Sequence, residues 1–229
     1  MATRSNESAS LPEPQGGLVV AQTDFVPSMD TNLDVPQDAE IDRLIEMLSK
    51  PSLALTREEH IDSIRKRQDA VNQHLFRGGA ETLRRFFERV RYMDEKQSIK
   101  LDFSMLDMSE KILSGLYLPG ANLEKLIITL SDLTGSELTG ANLTDSIATR
   151  AIFRGVVAAG ADFTNAVMPS ADFSSGRFMG CTFINTVMPN VIVDERTNFA
   201  GAIFIGAYLG RADLSRTNTV GAVFRGLKR

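Results

Sequence analysis

Residues 161–173 read Ala161-Asp162-Phe163-Thr164-Asn165-Ala166-Val167-Met168-Pro169-Ser170-Ala171-Asp172-Phe173. A large apolar residue returns every fifth position, at Phe163, Met168 and Phe173, and a small one stands two places before each. Working backwards, the same spacing holds at Phe153, Leu143, Leu138, Leu133, Ile128, Leu123, Leu118, Leu113, Met108 and Phe103. Forwards it runs through Phe178, Phe183, Met188 and Val193, slips by one residue, and resumes at Phe199, Phe204, Leu209, Leu214 and Phe224. Of 25 positions in this register only Ala148, Ala158 and Thr219 are not large and apolar, in a chain that is 43% hydrophobic. A period of five fits neither the 3.6 of a helix nor the 2 of a strand, so it describes a solenoid whose units turn together.

The residues around each large centre say how the unit is built. Small residues such as Ala121, Ser131, Ser146, Ala166, Cys181, Thr186 and Ala202 lie two positions before it. Small and large side chains together fill a narrow interior of fixed volume per layer. Glycine recurs two positions after the centre, from Gly115 to Gly226, where a corner needs positive φ. Ala148 and Ala158 flank Phe153, so one bulky centre is offset by two small ones. At the start, Leu101, Leu106, Lys111 and Leu116 replace the small residue, as expected of a terminal coil that meets another element. The slip at 193–199 predicts a one-residue bulge at a corner.

The units Ala121-Asn122-Leu123, Ala141-Asn142-Leu143, Ala161-Asp162-Phe163, Ala171-Asp172-Phe173 and Ala212-Asp213-Leu214 resemble the A(D/N)LxG repeat of pentapeptide-repeat proteins, over about 125 of the 229 residues. The resemblance implies an all-β, right-handed quadrilateral parallel β-helix with four pentapeptides per coil. At ~4.8 Å between stacked strands, about six coils make a rod roughly 30 Å long.

Three regions follow: an extended or disordered arm over 1–37, rich in Ser, Pro, Gln, Gly and Asp; an α-helical N-terminal cap region over 38–100; and the repeat solenoid over 101–229. In the middle region Ile41, Leu44, Ile45 and Leu48 share one helical face, with Pro51 beyond it. Thr56 and Glu59 form a capping box for a helix carrying Ile61, Ile64, Val71 and Leu75 and ending at Gly78-Gly79. A third helix carries Leu83, Phe86, Phe87, Val90 and Met93. These helices are expected to cover the open edge of the first coil.

The search for chemistry yields no catalytic constellation, so no enzyme and no cofactor is expected. The two histidines, His60 and His74, lie fourteen residues apart on one predicted helix, too far to share a metal. Cys181 occupies an inward position without a neighbouring histidine, and a single cysteine excludes a disulfide framework. No secretory signal or membrane-spanning stretch is read, which fits a cytoplasmic setting or a place within a non-membrane assembly. With 25 basic and 29 acidic residues, the balance of −4 favours neither nucleic acid nor membrane.

Function must then lie on the outward faces, where residues twenty apart share a wall. One wall carries Asp102, Asn122, Asn142, Asp162 and Thr182. The next carries Asp107, then Ile127, Ile147, Val167, Val187 and, after the slip, Tyr208. Those five form a candidate partner-binding stripe, against the simpler reading that β-branched residues suit strands. Charge divides along the axis as well: two lysines meet seven acids over 101–149, and nine basic residues meet five acids over 150–229. Arg211, Arg216, Arg225, Lys228 and Arg229 make a candidate charged end for an acidic partner or the acidic end of another copy. The expected function is a non-enzymatic protein-binding or scaffold protein, or a subunit of a larger assembly, whose partner is another protein or itself. Some pentapeptide-repeat proteins mimic DNA and bind type II topoisomerases; that alternative wants a continuously acidic rod. A weaker one is a secreted bacterial effector, with Ser5, Ser8 and Ser10 in an export signal.

Overall fold

The computed structural model describes residues 39–50, 56–97 and 99–228; the expected arm lies outside them. Three helices lead into the solenoid: α1 (Ala39–Ser49), α2 (Arg57–Ala70), which runs on through a π-helical turn at Val71–Phe76, and α3 (Gly79–Gln97). Helix α1 buries Ile41, Leu44, Ile45 and Leu48, the spacing of one helical face. The capping box of α2 is formed: Thr56 Oγ1 accepts from the Glu59 N–H, and the Glu59 carboxylate accepts from the Thr56 N–H at 2.8 Å. The apolar face expected of α2 is only partly realised. Ile61 is exposed, and the buried residue of this helix is Arg67.

From Asp102 onward, single residues pair in parallel with residues twenty further along: Asp102 with Asn122, Asp107 with Ile127, Ile112 with Asp132, Tyr117 with Glu137, and so on upward. Four such pairings per coil define four walls. At each, the backbone bonds to both neighbours; the Phe103 N–H donates to Asn122 O and the Asn122 N–H to Leu101 O, both at 2.8 Å. Five residues per side, two of them spent on a turn, leave one fully paired residue. The β structure is therefore almost entirely isolated bridges, and among the described residues only β1 (Ile203–Ile205) and β2 (Val223–Arg225) extend to strands.

Corners are β-turns in which the third N–H past the centre donates back to the centre's carbonyl, as from Ala141 to Leu138 at 2.9 Å. Positive φ falls at the second residue past the centre. Glycine is common there, yet Lys125, Leu130 and Arg150 occupy it at φ 57°, 59° and 55°, so the corner favours glycine without demanding it. Aspartate or asparagine before the centre closes the turn: Asp162 Oδ1 accepts from the Thr164 N–H at 2.9 Å, and Asp132, Asn142, Asp172 and Asn218 do the same. At the slip the partner offset lengthens to twenty-one, from Arg177 to Asn198, and returns to twenty at Asn198 with Asn218.

Inside, Phe163, Phe183, Phe204 and Phe224 stack in one column, with ring centroids 5.0, 4.8 and 4.8 Å apart and planes within 7°. Small inward side chains bond the coil below, as Ser131 Oγ to Met108 O at 2.7 Å and Thr186 Oγ1 to Phe163 O at 2.8 Å. Gly176 occupies the small position because a Cβ there would lie 2.3 Å from Phe178 Cε2. The interior is less closed in the last coil, where Leu209 and Leu214 are half-buried and Phe224 is 38% exposed.

The helices meet the first coil through specific polar contacts. Leu48 O accepts from the Asp102 N–H at 2.7 Å. The Gln68 side-chain amide takes both backbone groups of Asp107, accepting from its N–H at 2.7 Å and donating to its carbonyl at 3.0 Å. Arg67 bonds the Asp102 carbonyl at 3.2 Å and its carboxylate at 2.5 Å. Asp102, read from sequence as one of an outward polar row, is thereby buried.

Phe183→Ala is expected to lower stability by about 3–5 kcal/mol, from lost burial and a cavity between stacked rings. Gly176→Ala should cost about 1–3 kcal/mol through overpacking against Phe178, whereas Gly160→Asn should change little, because Asn185 holds the same corner position at φ 54°. Urea unfolding midpoints measure all three. A larger loss of stability from Gly160→Asn than from Gly176→Ala would contradict this account of corner and core.

Candidate functional site

The side chains that could carry chemistry are occupied by structure. His74 Nδ1 pairs with Glu40 Oε1 at 2.5 Å, joining the π-helical turn to α1 beside a pocket of about 240 Å³ that Thr82 and Arg85 also line. His60 lies on α2. The Asp and Asn side chains that precede the centres serve the turns. Cys181 donates to Ala158 O in the core, and burial pushes its thiol up to about 12. Among the described residues no three His, Cys, Asp or Glu side chains converge to hold a metal ion, and no helix is long and apolar enough to cross a membrane.

The second wall presents a continuous apolar column. Asp107, Ile127, Ile147, Val167, Val187, Tyr208 and Lys228 bridge in succession, so the five candidate side chains stand one above another. Ile147 is 40% and Val167 36% exposed, and Ile127, Val187 and Tyr208 are half-buried. Helical contact with this wall is at its lower edge, through Gln68 and Asp107. The corner past the wall widens the apolar surface with Leu130, which is 46% exposed, and with Pro169 and Pro189. The sequence pattern does not reveal Leu130, because a leucine at a corner of positive φ looks from sequence like a register error. Its exposure is the signal that identifies it.

The candidate charged end is divided. Arg211, Arg225 and Lys228 are exposed. Arg216 is exposed too, but its Nη2 pairs with Glu195 Oε2 at 2.8 Å, across one coil. Arg229 lies outside the described residues. The four walls, the twenty-residue coil and the Asx-closed corners all rest on one repeating unit. Residues 112–145, 149–183 and 195–226 match the family described as Pentapeptide repeats, in 8 copies.

This is a pentapeptide-repeat protein. Solved structures similar to it include QnrB1, a plasmid-mediated fluoroquinolone resistance protein, at 20% identity over 56% of this chain and 77% of that one, with a TM-score of 0.26. Rfr23 from the cyanobacterium Cyanothece 51142 is 14% identical over 56% of this chain and 65% of that one, with a TM-score of 0.26. HetL from Nostoc sp. strain PCC 7120, involved in heterocyst differentiation regulation, is 13% identical over 62% and 93%, with a TM-score of 0.23. No curated protein matches the chain in sequence. Likenesses this distant carry nothing about function, and the family assignment rests on the repeats themselves.

One titrating group of the pentapeptide-repeat protein sits at the slip. Burial pushes the Asp194 carboxyl upward, but donors from Ser175 N–H and Oγ–H, Thr197 Oγ1–H and Arg196 N–H outweigh it and hold it at about 2. A carboxylate depressed in the folded state adds stability that is complete above its unfolded pKa of about 3.9 and is lost as pH falls towards about 2. Asp194→Asn is expected to be less stable than wild type at neutral pH, with the gap closing between about pH 4 and pH 2. Urea midpoints across that range test it; a gap independent of pH would assign the loss to something other than the carboxylate.

Proposed function

We propose that this chain is a non-enzymatic protein-binding or scaffold protein whose second wall is its docking face, with membership in a larger assembly as one form of that role. The observation that carries the reading is the column Ile127, Ile147, Val167, Val187 and Tyr208, apolar and partly exposed on a β surface. The wall's backbone groups are already bonded rung to rung, so what it offers a partner is side-chain surface. In this reading residues 38–100 act as a cap, residues 101–229 as a right-handed quadrilateral rod in keeping with the family resemblance, and the partner is another protein.

The charged end is a secondary contact, made by Arg211, Arg225 and Lys228 rather than by Arg216. Topoisomerase binding by DNA mimicry ranks lower on charge, since basic residues outnumber acids over 150–229.

The decisive comparison is affinity capture from the native cell by wild type and by Ile147→Asp/Val167→Asp, after circular dichroism and unfolding midpoints establish that both fold. Loss of a specific partner by the folded double variant is expected. Retention of every partner would remove the second wall as the functional face.

A further inference from the structure

The occupant of the second wall has a geometry that the wall itself constrains. Its rungs repeat at the coil-to-coil spacing, seen in the phenylalanine stack behind the neighbouring wall as 4.8 Å between ring centroids. From Ile127 to Tyr208 there are four intervals, about 19 Å in all. An extended segment laid along the rod would present a side chain to the wall only every second residue, about 6.7 Å, and would miss each rung by about 2 Å. An α-helix presents its seam once per turn, every 5.4 Å, and drifts by only about 0.6 Å per rung. About 13 helical residues span the column. Strand addition onto the face is also barred, because the wall's N–H and carbonyl groups are used within the solenoid. A second copy fits less well: a strip about 19 Å by 10 Å falls far short of the roughly 800 Å² per partner of a stable dimer.

The borders of the strip differ in charge, and this fixes the chemistry of the ligand. On the side preceding the wall, Lys125 pairs with Glu124 at 2.6 Å and Asn165 donates to Asp145 at 3.0 Å, so polar groups are satisfied locally. On the side following it, beyond Leu130, stand Arg150 and Arg211, both exposed and neither holding a carboxylate among the described residues. They lie three rungs apart, about 14 Å. Carboxylates eleven residues apart on one edge of a helix are separated by about 16 Å, within the reach of two arginine side chains.

We infer that the partner element seated on the second wall is an amphipathic α-helix of three to four turns, lying along the rod with an apolar seam on Ile127–Tyr208 and an acidic edge towards Arg150 and Arg211. This rests on the reading of the second wall as the docking face and adds the class of its ligand.

Three labelled 16-residue peptides test it by fluorescence anisotropy against the full chain. One has a helical leucine seam with glutamates eleven apart on one edge; the second replaces those glutamates by lysine; the third rearranges the first into alternating apolar and acidic residues. The acidic helical peptide is expected to bind about tenfold more tightly than either of the others, with the preference shrinking as salt rises. Arg150→Glu/Arg211→Glu should reverse the order of the first two, and Ile147→Asp/Val167→Asp should abolish binding of both. Equal binding of the alternating peptide, or no binding of the acidic helix at about 1 mM to folded protein, overturns the inference. If the helical peptide fails while the aspartate variant still loses its cellular partner, the helix is wrong and the face stands; if that variant keeps its partner, the face itself is wrong.

Discussion

Everything above the first coil depends on the closed exchange of backbone hydrogen bonds between residues twenty apart. Each wall residue both donates to and accepts from the coil below it, and the residues on either side of it bond the coil above, so coils are locked at a single separation and the interior has a fixed volume per layer. That constraint accounts for side-chain choices which otherwise look arbitrary. Phenylalanines stack in line because each ring has one rung of height available. Ala148 and Ala158 are fully buried on either side of Phe153, two small centres beside one bulky ring. The hydroxyls of Ser131 and Thr186 and the Cys181 thiol are tolerated inside because each reaches a carbonyl of the coil below.

The solenoid was legible because it obeys a rule repeated in every layer, and a periodic constraint leaves a periodic trace. The column Ile127 to Tyr208 could be read for the same reason, since sharing a wall is arithmetic. What escaped were solutions used once. Arg67 sits in a helix of almost wholly polar sequence, and nothing in its neighbours says that it reaches a carbonyl and a carboxylate 35 residues away. Ile61 looked like part of a buried face, but the open edge of a coil asks its cover for hydrogen-bonding groups more than for apolar ones. Asp102 belonged by period to an outward row and is buried because it is the member that meets Arg67. The partly open centres of the last coil keep the right residue types, so the pattern gave no warning of their exposure.

A division of labour results. Inward positions and turn-closing Asp and Asn residues, with Glu137, specify the fold, whereas an apolar residue before a centre is free of that duty. Ile127, Ile147, Val167 and Val187 are of this second kind. They bond through the backbone alone, so their side chains answer to solvent and to whatever seats against them.

The slip at residues 193–199 shows how such a molecule tolerates changes of length. Its sixth residue is absorbed at a corner, with Asp194 tying Ser175, Arg196 and Thr197 together, and the columns on either side stay in line: Val187 still stands beneath Tyr208. Insertion of one whole pentapeptide has the opposite effect. Every later face rotates by a quarter turn, and the apolar column breaks at the point of insertion. Duplication of twenty residues rotates nothing and extends every face by one rung. The chain therefore behaves as a ruler graduated in coils, on which surfaces can be lengthened by gene duplication without being redesigned, and on which a deletion of five residues is more disruptive to a binding face than a deletion of twenty.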